Sequence, residues 1–250
     1  LFIVYMIPWL DRSLRFPDPS TALTEPNGLL AAGGDLSARR LLAAYHHGIF
    51  PWYNPGEPIL WWSPDPRMII YPDQIRVHRS LSKVLRNKPF QLKCNQAFDQ
   101  VMDACAAPRG GQAGTWIVDD IKQAYHRLFV TGHAHSIECW LDNRLVGGLY
   151  GVAIGKMFFG ESMFSKVPDA SKIALTGLCR ILDFHQFDMI DCQMYTDHLA
   201  FMGGETMRRG EFLLRLDKAV KKPAIVDLWG GFASESGIST SILSDKLIAI

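Results

Sequence analysis

The chain has 250 residues, 48% of them apolar and 20% charged, with a formal net charge of +1. That length and apolar content suffice for a substantial core, in one large domain or two unequal ones, and exclude disorder as the overall state. Near-neutrality decides nothing about nucleic acid, because local patches do that, and five scattered cysteines without a CxxC argue for free thiols in a reducing compartment and against a zinc site.

Leu1 to Ile7 is nearly all apolar. It is too short to cross a bilayer and lacks the basic start of a signal peptide, so it reads as an edge strand or an arm, with Met6 an alternative start. No other run approaches transmembrane length, and the chain reads as a cytoplasmic protein. Residues up to about 65 are dense in prolines and glycines. One helix stands out there, capped by Asp35 or Ser37, with Leu41, Leu42 and Tyr45 as its apolar stripe and Gly48 at its end. Phe50, Trp52, Tyr53, Trp61 and Trp62 follow as a dense aromatic group, read either as core packing or as part of a ligand site.

Residues 67–71 read as a strand. From Gln74 to Phe98 there is no acidic residue, while Arg76, Arg79, Lys83, Arg86, Lys88 and Lys93 are all basic. A short helix over 80–87 puts Arg79, Lys83 and Arg86 on one side. The plain reading is a solvated face; the functional one is a footprint for a phosphate backbone. Asn95 can cap the next helix, whose buried stripe is Phe98, Val101, Met102 and Cys105. A Gly-rich break at 109–114, read as a mobile loop, leads to Trp116. A helix from Asp119 or Asp120 carries Ile121, Tyr125 and Leu128 and ends at Gly132.

An antiparallel meander comes next, over 136–140, 144–154 and 157–164, turning at Asp142-Asn143 and Gly155-Lys156. Glycines 147, 148, 151, 155 and 160 predict bulges or close backbone approach. Glu161, amid Phe158, Phe159, Met163 and Phe164, is either a paired core anchor or a site residue. A long helix follows with Leu175, Leu178, Ile181 and Leu182 as its stripe, then a strand at 188–192, a helical turn from Asp197, and a last helix with Phe212, Leu213, Leu216 and Val220. Helices against a largely antiparallel sheet give an α+β (mixed α/β) fold.

Within the strand at 188–192 and its continuation, Asp191 and Gln193 stand two residues apart and so share a face, with Cys192 on the other. Buried polar groups need partners, so the pair is either a hydrogen-bonded anchor or a catalytic or substrate-orienting pair. Other chemistries lack their signatures. His133 and His135 have no third metal ligand at a telling distance, Gly160-Glu161-Ser162-Met163-Phe164 is not a GxSxG elbow, and no dinucleotide fingerprint occurs.

Several longer motifs add to this. Glu25 to Leu36 (EPNGLLAAGGDL), Gly48 to Tyr53 (GIFPWY), Trp61 to Arg67 (WWSPDPR), Gly114 to Ile117, His133 to Glu138, Gly160 to Ser165 (GESMFS) and Asp191-Cys192-Gln193 occur in this order. Together they resemble the bacterial leucyl/phenylalanyl-tRNA–protein transferases, over roughly residues 8 to 220. The resemblance implies a small N-terminal domain (1–66) and a larger GNAT-like acyltransferase domain (67–222) with a mostly antiparallel central sheet; residues 223–250, apolar and Ser/Gly-rich without a firm period, read as a C-terminal tail of uncertain order. It implies transfer of Leu, Phe or Met from aminoacyl-tRNA to the N-terminal Arg or Lys of a protein, marking it for degradation, by a cytoplasmic, monomeric enzyme without coenzyme A or metal. Carried over by motif, Asp191, Gln193 and Glu161 are the catalytic residues: Asp191 holds the acceptor amine, with its taking the amine's proton left open, Gln193 orients that carboxylate or the reacting groups, and Glu161 receives the acceptor or fixes the aminoacyl end. Trp52, Trp116, Leu149, Phe158, Met163 and Ile190 form the aminoacyl pocket. Arg76, Arg79, Lys83, Arg86 and Lys88 then become the tRNA surface. A GNAT-type acyl-CoA transferase and a non-catalytic RNA-binding module are the competing readings. The ends, Leu1 to Tyr5 and the stretch after about Pro223, depart from the family's pattern.

Overall fold

Apolar runs of period two, joined by tight turns, build the longest ladder of the chain. A computed structural model of the protein describes residues 7–108, 115–224, 229, 238 and 239. Its first elements are β1 (Trp9–Leu10), β2 (Leu29–Gly33), α1 (Ala38–His46), β3 (Phe50–Pro51) and β4 (Leu60–Trp62). Next come β5 (Arg67–Ile70), α2 (Arg79–Asn87), β6 (Gln91–Cys94), α3 (Phe98–Ala106) and α4 (Asp119–Val130). The meander is β7 (Ala134–Leu141), β8 (Arg144–Ile154) and β9 (Met157–Ser165), followed by α5 (Ala170–Phe184) and β10 (Met189–Gln193). The remainder is α6 (Asp197–Phe201), β11 (Glu205–Met207), α7 (Arg209–Val220) and β12 (Ile238–Ser239). The arm Leu1 to Met6, the Gly-rich break at 109–114 and most of the expected tail lie outside the described residues.

Strands β1, β2, β4 and β3 form a small sheet in that order; the other eight are ordered β11-β5-β10-β9-β8-β7-β6-β12. Every neighbouring pair of the larger sheet is antiparallel except β9 with β10. The fold is therefore α+β with a mostly antiparallel central sheet, as expected. The β7–β8 hairpin closes on Asp142 and Asn143, both at positive φ (51° and 58°), which these side chains tolerate. No helix among the described residues is long and apolar enough to cross a membrane.

Alternation sends neighbouring side chains to opposite layers. Phe158, Leu149 and Ile190 pack with Leu85, Leu175 and Leu178 on the α2 and α5 side. Phe159 and Tyr150 pack with Tyr45, Val101, Tyr125 and Phe212, beneath α1, α3, α4, α7 and the small sheet. Ser37 caps α1, accepting from the Arg40 N–H, a contribution of about 1 kcal/mol. Asp35 instead pairs with the buried Arg40 guanidinium at 3.1 Å. Asn95 does not cap α3. It takes a positive φ of 58° and accepts from the Ser136 N–H. The Gln96 and Ala97 N–H groups donate instead to Glu138, a buried carboxylate reaching over from β7.

Two irregularities position the cavity described below. On β9, Gly160 pairs with Gly151 and Ser162 with Tyr150, so Glu161 is the extra residue of a bulge. On β10, Asp191 pairs with Ile69 and Gln193 with Met68, which makes Cys192 the extra residue. The parallel β9–β10 ladder runs from Met189↔Met157 to Asp191↔Phe159 and stops where both strands bulge. Gly151 is required here: a Cβ on it would lie 2.2 Å from the Phe159 carbonyl oxygen and against the Phe158 ring. Gly151→Ala is therefore expected to destabilise the protein by ~1–3 kcal/mol, read as a lower urea midpoint; an unchanged midpoint would show that the ladder accommodates the methyl group.

Candidate active site

Where β9 and β10 cease to pair, a cavity of about 920 Å³ opens, within the size range of small-ligand sites. Phe50, Trp52, Trp116, Leu149, Phe158, Met163, Leu175 and Ile190 give it apolar walls. Both bulges contribute to its lining, through Glu161, Ser162, Cys192 and Gln193. All six residues expected in an aminoacyl pocket (Trp52, Trp116, Leu149, Phe158, Met163 and Ile190) line this one cavity.

Asp191 is paired within the protein. Its side chain is 1% exposed and locked bidentately to Arg67, with Nε to Oδ1 at 2.7 Å and Nη2 to Oδ2 at 2.6 Å. The Arg67 guanidinium lies between the rings of Phe50 (4.9 Å) and Phe212 (4.7 Å), a cation held by two aromatic faces. Asp191 Oδ1 also accepts the Gln193 N–H at 2.9 Å. Its carboxylate is thus committed to Arg67 and to the Gln193 backbone, and Asp191 is not among the described residues that line the cavity. The strand-face rule fails for the same local reason. Gln193 takes a φ of 65°, and the inserted Cys192 lines the cavity where the spacing predicted the opposite face. Burial, then the Asp191 charge, pushes the Cys192 thiol well above its ordinary pKa, so it is no thiolate nucleophile.

Glu161 and Gln193 do meet: Gln193 Nε2 donates to Glu161 Oε1 at 3.0 Å. Two tyrosines from the apolar stripes of α1 and α4 complete the surroundings. Tyr45 of α1 donates to Oε1 at 2.7 Å and Tyr125 of α4 to Oε2 at 2.8 Å. The two hydroxyls are also in contact with one another. Burial lifts the Glu161 pKa to about 7, against the lowering effect of the two tyrosine hydrogen bonds; Asp191 adds to the rise and Arg67 opposes it. The signal that could have found the tyrosines is that a buried phenol needs a hydrogen-bond partner. A carboxylate on a core strand likewise calls for a cation, but nothing in the local sequence points to Arg67 as that cation.

Arg76, Arg79, Lys83, Arg86 and Lys88 are all exposed along α2 and its flanks, and none takes part in an ion pair among the described residues. They adjoin the cavity through α6. Arg76 N–H donates to the Met202 carbonyl, His78 stacks on Phe201 at 3.9 Å, and His198 and Leu199 of the same helix line the cavity. Among the described residues, no three His, Cys, Asp or Glu side chains cluster so as to hold a metal.

The site is thus an apolar cavity with a carboxylate and an amide at its polar end, in an α+β fold beside a basic helix. Similarity to known proteins gives its family. The family model for the leucyl/phenylalanyl-tRNA protein transferase matches residues 69–217, and that for its N-terminal domain matches residues 34–65. The leucyl/phenylalanyl-tRNA–protein transferase of Thiobacillus denitrificans is 60% identical over 86% of this chain and 94% of its own. Those of Chromobacterium violaceum and Azoarcus sp. are each 55% identical over 90% of this chain and 96% of theirs. The chain belongs to the leucyl/phenylalanyl-tRNA protein transferase family.

Two predictions follow from the charges. Arg67→Met leaves the Asp191 carboxylate buried and unpaired and is expected to cost ~3–5 kcal/mol in urea denaturation, much of it recovered by adding Asp191→Leu; an additive double variant would contradict the pairing. A carboxyl whose folded pKa is raised stabilises the fold below its unfolded pKa and loses that contribution as pH climbs. For Glu161 the loss falls between pH 4.5 and about 7. In Glu161→Gln the drop in urea midpoint across that window is therefore expected to shrink, and an equal drop in both proteins would show that Glu161 does not titrate there.

Proposed function

We propose that this protein moves Leu, Phe or Met from aminoacyl-tRNA to the N-terminal Arg or Lys of an acceptor protein, marking it for degradation in the cytoplasm, and that it works as a monomer. The observation that supports this most is the cavity itself. Its apolar walls suit an unbranched or γ-branched hydrophobic side chain, and Glu161 and Gln193 lie where the ester and the acceptor amine would meet. An apolar pocket discriminates weakly between hydrophobes of similar size, which fits three donors. The reaction needs placement above all, because the amine and the ester are already reactive partners. Within it Gln193 and Glu161 contact the reacting groups, and Asp191 acts through Arg67 and the Gln193 backbone as a positioning residue. The division into residues 1–66 and 67–222 would put Trp52 on the smaller domain and the remaining pocket residues on the larger. The pocket would then complete itself only when both are packed together.

Arg76, Arg79, Lys83, Arg86 and Lys88 would carry the tRNA backbone, with contacts to phosphate and not to bases. The test of the function is transfer of labelled Leu from Leu-tRNA to a peptide with N-terminal Arg, with an N-terminal Ala peptide as control; label on both peptides or neither refutes the reading. Replacing Arg79, Lys83 and Arg86 together with Ala is expected to raise the KM for aminoacyl-tRNA by roughly tenfold or more and to flatten its salt dependence, with kcat preserved. An unchanged KM at low salt would remove α2 from the tRNA surface.

A further inference from the structure

Glu161, Tyr45 and Tyr125 close a triangle of oxygen contacts. Tyr45 meets Oε1, Tyr125 meets Oε2, and the two hydroxyls meet each other. Three hydrogen bonds need three protons, and each phenol brings one. With Glu161 ionised, the triangle is one proton short. With a proton on Oε2 it is complete: Oε2–H donates to Tyr125, Tyr125 to Tyr45, and Tyr45 to Oε1. Oε1 is also the oxygen that accepts from Gln193 Nε2, which leaves Oε2 as the seat for the proton.

The other polar groups around this triangle do not supply the missing proton or compete for it. Tyr150 of β8 is fully buried and its hydroxyl has no hydrogen-bond partner among the described residues. Burial holds its proton, and those of Tyr45 and Tyr125, far above the ordinary phenol range. Burial keeps the Cys192 thiol of β10 neutral. Arg67 of β5 spends its charge on Asp191, and Asp191 is closed off from the cavity. Glu161 is the carboxylate that lines the cavity, and its raised pKa, near 7, suits exchange with an amine.

We propose that Glu161, ringed by Tyr45 and Tyr125, takes the proton given up by the acceptor's N-terminal ammonium group, in place of Asp191. This rests on the transfer reading given above. One N–H proton passes to Glu161 and completes the triangle. The neutral amine attacks the ester carbon, so that a C–N bond forms as the C–O bond to the terminal ribose breaks. A second N–H proton goes to the departing ribose oxygen, and Glu161 returns its own to water as the products leave. Tyr45 and Tyr125 are positioning residues in this scheme: they set the pH at which Glu161 is ready.

The experiment is single-turnover transfer from Leu-tRNA to a saturating N-terminal Arg peptide across the neutral pH range, with aminoacyl-tRNA binding measured alongside. The acceptor amine titrates identically against every variant, so a limb of the pH profile that moves with the variant belongs to the enzyme. Tyr45→Phe with Tyr125→Phe removes two donors to the anion and is expected to move the limb up by ~1 pH unit. Glu161→Gln is expected to be ~100-fold slower at pH 8 and to lose the limb, with donor affinity kept and partial rescue in Glu161→Asp. A limb that stays put in the tyrosine pair, or that survives in Glu161→Gln, overturns the proposal alone. A wild-type enzyme that transfers no Leu overturns the functional reading and the proposal with it. Should the variants fail to fold, infrared titration of wild-type protein labelled with 13C in its glutamate carboxyls decides: a protonated band vanishing near neutrality is expected, and its absence overturns the proposal.

Discussion

The buried ion pair between Arg67 and Asp191 is the constraint on which the rest of the site depends. Two charges out of water are tolerable only with close, two-pronged geometry and with their remaining atoms well surrounded. Here the fork is bidentate and the guanidinium is held between Phe50 and Phe212. Those rings come from β3 of the small sheet and from α7, so one side chain joins three parts of the fold. Because Asp191 Oδ1 also takes the Gln193 N–H, the pair fixes the backbone at the point where β10 leaves its regular path. The Gln193 side chain is turned towards Glu161 as a result.

The cavity follows from that departure. Two neighbouring parallel strands each gain an extra residue at one level, and their ladder ends there. The groups exposed by the parting are a carboxylate, an amide and a wall of hydrophobes. The arrangement carries a cost in stability, since Glu161 is buried deeply enough to hold its proton to about pH 7. A fold optimised for stability alone would place an apolar residue at that position, so the retained carboxylate points to a task.

Much of the architecture was legible because it repeats. The helical stripes of α1, α3, α4, α5 and α7 and the alternation of β7 to β9 are periodic over eight residues or more, and Asp142-Asn143 marks its own hairpin. Strands β1, β3, β4 and β11 span only two or three residues, too few for any period to register. Bulges escape a one-strand reading altogether: Asp191 and Gln193 would share a face on a regular strand, and only pairing with β5 reveals that Cys192 is inserted. Arg67 and Asp191 lie 124 positions apart, beyond the reach of local pattern. Tyr45 and Tyr125 were hidden by their dual nature, since a tyrosine fills an apolar stripe as readily as it carries a hydroxyl. The six pocket residues came from motif resemblance, and no spacing rule would have gathered them from β4's neighbour Trp52 to β10's Ile190.

The central claim is that the cleft between β9 and β10 receives the aminoacyl end of the donor, with Glu161 and Gln193 at the reacting carbonyl. The most direct measurement is a crystal structure of the protein with a non-hydrolysable, amide-linked leucyl-adenosine. The account predicts the leucyl side chain among Trp52, Trp116, Phe158 and Ile190, with room for an amine ~3–3.5 Å from its carbonyl carbon on the Glu161 side. A leucyl group bound elsewhere, or seated with its carbonyl turned away from Glu161 and Gln193, would contradict it.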